Sequence, residues 1–149
     1  MRAVIQRVSS ASLEINGNEY SKINHGFVIL LAVENDDKIE DLEYMVRKTV
    51  GLRIFQDEND KMNCSILDVD GEILVVSQFT LYGDARKGNR PSFIRSAKPE
   101  TAIPLYQEYV NRLSKEIKTV KTGVFGENMK ISLVNDGPVT IILDSSKIL

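Results

Sequence analysis

Leu13-Glu14-Ile15-Asn16-Gly17, preceded by the alternating run Arg2-Ala3-Val4-Ile5-Gln6-Arg7-Val8, decides the fold class. Asn-Gly beside strand-like residues is the strongest short hairpin signal, because a type I′ turn needs positive φ at both central residues. In the run before it, Val4, Gln6 and Val8 share one face and Ala3, Ile5 and Arg7 the other, which is the period of a strand. Phe27 to Val33 is a continuous apolar run rich in β-branched residues, suited to a central strand buried on both faces. Leu52 to Phe55 reads as a short strand. Asp70-Gly71 repeats the hairpin signal between Ile66–Val69 and Glu72–Leu81. Lys130–Val134 and Val139–Leu143 read as two last strands around the turn residues Asn135-Asp136-Gly137-Pro138.

Two segments carry the helical period instead. In Asp37–Val50, Ile39, Leu42, Met45, Val46 and Thr49 fall on one face, with Asp37 and Glu40 in capping-box position and Gly51 as the residue just past the end. Glu100 to Lys118 forms a second helix with Ile103, Tyr106, Tyr109, Leu113 and Ile117 inward. Pro104 fits only a first turn, which places the start near Thr101. Hairpins dominate the connections, so the predicted class is α+β: mostly antiparallel β-sheets, sandwich- or barrel-like, with two helices packed on one side. No composition break divides residues 1–149, which read as a single domain.

The composition excludes several classes. A chain of 149 residues can bury about two thirds of its unfolded surface, so it needs no metal or disulfide staple. Cys64 is the only cysteine and cannot form an internal disulfide, which favours a reducing compartment. His25 is the only histidine, which excludes a two-His metal site. The first residues alternate at once, without a signal-peptide core, and Phe27–Val33 is too short to span a bilayer. The expectation is a cytoplasmic protein with no membrane partner. The net charge of −2 gives no general attraction to nucleic acid.

Local chemistry is concentrated in three places. Arg86, Lys87, Arg90, Arg95 and Lys98 fall within 13 residues of an aperiodic loop, Gly83–Lys98, with Tyr82 and Phe93 nearby. Such a loop can contact phosphates and stack a base. Ser77-Gln78-Phe79-Thr80-Leu81 ends an apolar strand with an amide and two hydroxyls, Gln78 and Thr80 sharing one strand face. At Gly137-Pro138 the backbone has neither a side chain nor an N–H in the way of a ligand. No phosphate-binding glycine loop, nucleophile elbow or paired-His zinc motif is present, and no metal or cofactor is expected.

These pieces, in this order, resemble the D-aminoacyl-tRNA deacylases, also called D-tyrosyl-tRNA deacylases. The likeness runs from Met1–Val8 through Ser77-Gln78-Phe79-Thr80-Leu81-Tyr82-Gly83-Asp84 and Lys87-Gly88-Asn89-Arg90-Pro91-Ser92-Phe93. It continues through Gly123-Val124-Phe125-Gly126 and Met129 to Asn135-Asp136-Gly137-Pro138-Val139-Thr140. The resemblance implies hydrolysis of the ester between a D-amino acid, or glycine, and the 3′-terminal ribose of tRNA, by a metal-free homodimer. It implies a cis Gly137–Pro138 element that reaches into the partner's pocket and is held by Arg7. Ser77, Gln78 and Thr80 would polarise and position the ester. Phe79, Met129, Asn135, Gly137 and Pro138 would contact substrate, and Arg86, Lys87, Arg90 and Arg95 the tRNA backbone. Thr80 lacks the adjacent base that a threonine nucleophile needs, so attack by water assisted by the ribose 2′-hydroxyl is the expected route. Two alternatives stay open at this point: a non-catalytic RNA-binding module, and an editing domain for L-aminoacyl-tRNA.

Overall fold

The computed structural model describes residues 1–148. Strand β1 (Arg2–Ile15) turns through Asn16-Gly17 into β2 (Asn18–Ile23). The turn residues have φ of 51° and 78°, so both occupy the positive-φ region that the Asn-Gly signal demands. β3 (Gly26–Ala32) runs antiparallel to the first half of β1, Arg2 opposite Ala32 and Val8 opposite Gly26. β8 (Met129–Asp144) pairs antiparallel with β1 along nearly its whole length. β6 (Glu72–Ser77) lies parallel to β3, and β7 (Val120–Thr122) parallel to β6. β4 (Phe55–Gln56) and β5 (Met62–Cys64) form a small separate hairpin.

Helices α1 (Ile39–Gly51) and α2 (Pro99–Leu113) cover one face of the sheet. Their Leu42, Met45, Tyr109 and Leu113 bury against Ile5, Phe27, Ile29 and Val75. Between them the Thr49 and Tyr109 hydroxyls pair at 2.6 Å in full burial. The other face buries Val28, Leu74 and Val76 against Val8, Leu13 and Ile23, where β1 and β2 curl over and nearly close the sheet. The α+β class with two helices and a mostly antiparallel, barrel-like sheet therefore holds.

Several local expectations do not. Ile66–Val69 is a turn, closed by Gly71 N–H donating to the Ile66 carbonyl at 2.9 Å, and both neighbours of β6 are parallel to it. Asp70-Gly71 thus ends a crossover, not a hairpin, although Asp70 does take φ 48°. Glu72–Leu81 is not one strand either: at Gln78 the backbone leaves extended geometry (φ −144°, ψ 73°), and Phe79–Tyr82 winds into a 3-10 turn. Lys130–Val134 and Val139–Leu143 belong to one 16-residue strand. The Leu52–Phe55 strand shrinks to Phe55–Gln56.

Lys38, not Asp37, caps α1, its N–H donating to Asp41 Oδ2 at 2.9 Å. Asp37 is drawn away by the Met1 ammonium and the Glu34 N–H. Gly51 is the last helical residue and not a left-handed cap. α2 starts at Pro99 and ends at Leu113, which puts Pro104 inside the helix.

Candidate active site

Gln78 sits where β6 runs out. Its backbone N–H donates to the Leu31 carbonyl at 2.7 Å, so β3 holds the start of the 3-10 turn. Leu81 N–H returns to the Gln78 carbonyl and Gly83 N–H to that of Thr80. The turn brings the two polar side chains together, and Gln78 Nε2 donates to Thr80 Oγ1. Pinned as an acceptor, the threonine oxygen keeps its own O–H free to donate.

Ser77, Gln78 and Phe79 form one wall of a cavity of about 300 Å³, with Tyr106, Phe125 and Met129 among its other lining residues. That volume and its mostly apolar lining suit a small ligand or one end of a larger one. The Phe79 ring is 55% exposed at the mouth and meets Phe93 edge to face, 5.1 Å between centroids.

A second cluster lies opposite Arg7. Between the pairs Gln6–Thr140 and Val8–Asn135, β8 advances five residues while β1 advances two. The surplus must leave the ladder, and it does so as an exposed loop, Asp136-Gly137-Pro138. Gly137 takes φ 123°, a conformation open to glycine, and the Gly137–Pro138 bond is cis. Arg7, only 6% exposed, donates Nε–H to the Asp136 carbonyl at 3.1 Å and Nη1–H to the Ile54 carbonyl at 2.7 Å. The Asn135 amide closes the neck: oriented to satisfy both ends, it donates to the Arg7 and Val139 carbonyls (2.9 and 3.2 Å) and accepts from Thr140 Oγ1.

The two clusters stand apart. None of Arg7, Asn135, Gly137 and Pro138 lines the cavity. Gln78 is tied to Leu31, which faces Ala3, whereas the loop faces Arg7. Four residues of strand between them amount to ~13 Å along the sheet.

Loop Gly83–Lys98 is exposed over most of its length. Arg86 is chelated by Asp84 (2.6 Å), and its side-chain and backbone hydrogen bonds hold the Asp84 carboxyl well below the usual carboxylate range. Arg95 pairs with Glu34 at 2.5 Å. Lys87 and Arg90 make no ion pair among the described residues. His25 packs its ring on Phe55, and Cys64 pairs with Phe55 in β4–β5, both away from the cavity.

Several residues of these clusters escaped the sequence reading. The helical spacing of Tyr106 points to the core, and its hydroxyl indeed donates to the Val75 carbonyl, yet Tyr106 also lines the cavity. Ser96, whose Oγ donates to the Phe79 carbonyl at 2.9 Å, had no local signal. Neither had Arg2, which donates Nη1–H to the Leu81 carbonyl at 2.9 Å. Phe125, partly buried against the core, stands in the Gly123–Gly126 motif and also lines the cavity.

A model of the D-Tyr-tRNA(Tyr) deacylase family matches residues 4–144. The chain is 55% identical over 148 residues to a D-aminoacyl-tRNA deacylase of Thermosipho africanus, and 56% identical over 147 residues to one of Clostridioides difficile. In both cases 99% of each chain is covered. Among solved structures it is similar to a c-Myc DNA unwinding element binding protein (TM-score 0.92, 41% identity, 97% of this chain and 98% of that one). A probable eukaryotic D-amino acid tRNA deacylase shares the fold at TM-score 0.82 and 18% identity, with 95% and 97% covered. No helix among the described residues is long and apolar enough to cross a membrane.

Proposed function

The chain belongs to the D-Tyr-tRNA(Tyr) deacylase family and is a hydrolase of D-aminoacyl-tRNA; from that premise we propose how its two clusters divide the work. Residues 1–149 act as one catalytic domain. The cavity beside Ser77, Gln78 and Phe79 takes the aminoacylated 3′ end of tRNA. Water attacks the ester carbonyl, a tetrahedral oxyanion forms, and the ribose 3′-oxygen leaves with a proton. Gln78, the Thr80 hydroxyl and the backbone N–H groups of Phe79 and Thr80 stabilise the developing charge.

The Gln78–Thr80 hydrogen bond is the observation that carries this reading. It orients the hydroxyl as a donor and supplies no base to make it a nucleophile. Activation of the water therefore falls to the vicinal 2′-hydroxyl of the substrate.

Handedness comes from the main chain. Gly137 and Pro138 of a second protomer present their carbonyls where an L side chain would go, so D-residues and glycine pass. Rigid backbone discriminates better than an apolar recess, which yields only ~1–3 kcal/mol per methylene. The exposed loop, braced by Arg7 and Asn135 and outside its own protomer's cavity, supports delivery in trans by a homodimer. Lys87 and Arg90, without ion pairs among the described residues, suit contact with tRNA phosphates.

The test is release of amino acid from D-Tyr-tRNA, L-Tyr-tRNA and glycyl-tRNA, followed by acid precipitation. Hydrolysis of the first and third alone is expected. A binding module would protect all three esters, and an L-editing domain would cleave the second. Substitution of a 2′-deoxy terminal adenosine should abolish turnover, whereas Thr80→Ala should only slow it.

A further inference from the structure

The 3-10 turn that carries Thr80 is held from behind by an arrangement outside the cavity. Tyr82, the last residue of the turn, is 3% exposed, and its hydroxyl is buried without a hydrogen-bond partner among the described residues. The fold therefore keeps this tyrosine for its ring. Two guanidinium groups lie over that ring, Arg2 at 4.7 Å and Arg95 at 5.3 Å from the centroid. Each is fixed by a carboxylate. Arg2 donates to Asp144 Oδ2 through Nε and Nη2 (3.3 and 3.0 Å), and Arg95 donates to Glu34 Oε1. Arg2 also holds the Leu81 carbonyl, and Ser96, next to Arg95, holds the Phe79 carbonyl. The turn is thus gripped at its first and third carbonyls and at its terminal ring.

Arg95 belongs to the basic loop, where its charge suggests a phosphate contact. The geometry points to a different role: we propose that Arg95, with Arg2, is a positioning residue that clamps Tyr82 and so sets the Thr80 turn. This rests on the reading of Gln78 and Thr80 as the reaction centre. A clamp acts on turnover, while a phosphate contact acts on affinity for tRNA.

The experiment is steady-state deacylation of D-Tyr-tRNA by the full chain carrying Arg95→Gln, Arg95→Lys, Tyr82→Phe or Tyr82→Leu. Arg95→Gln should lower kcat about tenfold with KM within about twofold. Arg95→Lys should recover part of that loss, since an ammonium also sits over an aromatic face. Tyr82→Phe should match wild type and Tyr82→Leu should not. In Arg95→Gln the Gly83 amide, donor to the Thr80 carbonyl, should exchange faster with solvent. Arg95 is half-exposed, so its variants fold whether or not Tyr82→Leu does. A rise in KM at unchanged kcat, or no change at all, overturns the clamp. Gln78→Ala is measured beside them. Full activity there rejects the assigned reaction centre, whereas loss there with Arg95→Gln unaltered rejects the clamp alone.

Discussion

Gly137→Ala is the sharpest probe of the loop opposite Arg7. A φ of 123° lies outside the basins that alanine visits, which costs about 1–3 kcal/mol if the backbone stays in place. The added Cβ would stand 2.8 Å from Arg7 Nη2, 2.8 Å from Val139 Cγ2 and 3.2 Å from the Val139 nitrogen. The backbone nitrogen cannot yield without moving the strand, so the guanidinium must. Moving it strains the hydrogen bonds to the Asp136 and Ile54 carbonyls, the latter buried, and bonds to a charged group are worth about 1.5–3 kcal/mol. Partial relaxation leaves a net loss of about 2–4 kcal/mol, which lowers Tm by roughly 5–15 °C in a chain of this size. Calorimetry measures that loss. Deacylation of L-Tyr-tRNA below the new Tm measures the displaced carbonyls, and its rate should rise at least about tenfold, a change of ~1.4 kcal/mol in the barrier. A variant that loses stability yet stays fully D-specific would refute exclusion of L side chains by the Gly137 and Pro138 carbonyls, and one that loses neither would refute the geometry as well.

Thr49→Val and Tyr109→Phe should each destabilise by about 1–3 kcal/mol, because each strands a buried hydroxyl; the double variant should lose less than the sum in a urea-denaturation cycle. Lys87→Gln and Arg90→Gln should raise KM at constant kcat and flatten its dependence on log salt by roughly 0.7–0.9 per lost phosphate contact. Asp84, with its carboxyl depressed by Arg86, keeps its pair above the ordinary carboxylate pKa and loses it only as pH falls through the lower folded value. Between pH 5 and 8 the pair should therefore stay closed, and Asp84→Asn, which frees Arg86, should lower KM at low salt throughout that range.

Turn chemistry was legible where it is purely local. Asn16-Gly17 dictates its own φ values, and the hairpin follows. Asp70-Gly71 carries the same local signal, and Asp70 does adopt positive φ, yet the strand after it pairs in parallel with β3. Nothing in the dipeptide encodes that partner. The better signal was Ile73-Leu74-Val75-Val76, buried throughout, which is how a parallel strand covered on both faces reads. The α1 cap failed for a related reason. Asp37 has the right spacing, but the Met1 ammonium, brought near by long-range folding, outbids a backbone N–H for its carboxylate.

The chemistry of the site was more legible than its conformation. Ser77-Gln78-Phe79-Thr80 stood out as polar groups at the end of an apolar strand, and strand alternation put Gln78 and Thr80 on one face. The real path is a 3-10 turn that joins the same two side chains by a hydrogen bond, so the right pair emerged from the wrong backbone. At Asn135–Pro138 the opposite happened. The residues read as a turn between two strands, whereas they bulge out of one strand that resumes beyond them, because the surplus of β8 over β1 is a property of two strands and not of one.

Position along β1 is what separates the loop from the cavity. β1 carries Arg2 at its start, clamped behind the Thr80 turn, and Arg7 five residues on, beneath the Gly137 loop. A pleated strand cannot fold back within five residues, so a single protomer keeps the two devices at opposite ends of the β1–β3 ribbon. On β8 to either side of the loop, Val134 and Ile142 are each more than half exposed. Under the proposed function the loop excludes an L side chain from another protomer's cavity, since it does not line its own. Handedness would then depend on protein concentration wherever the dimer dissociates.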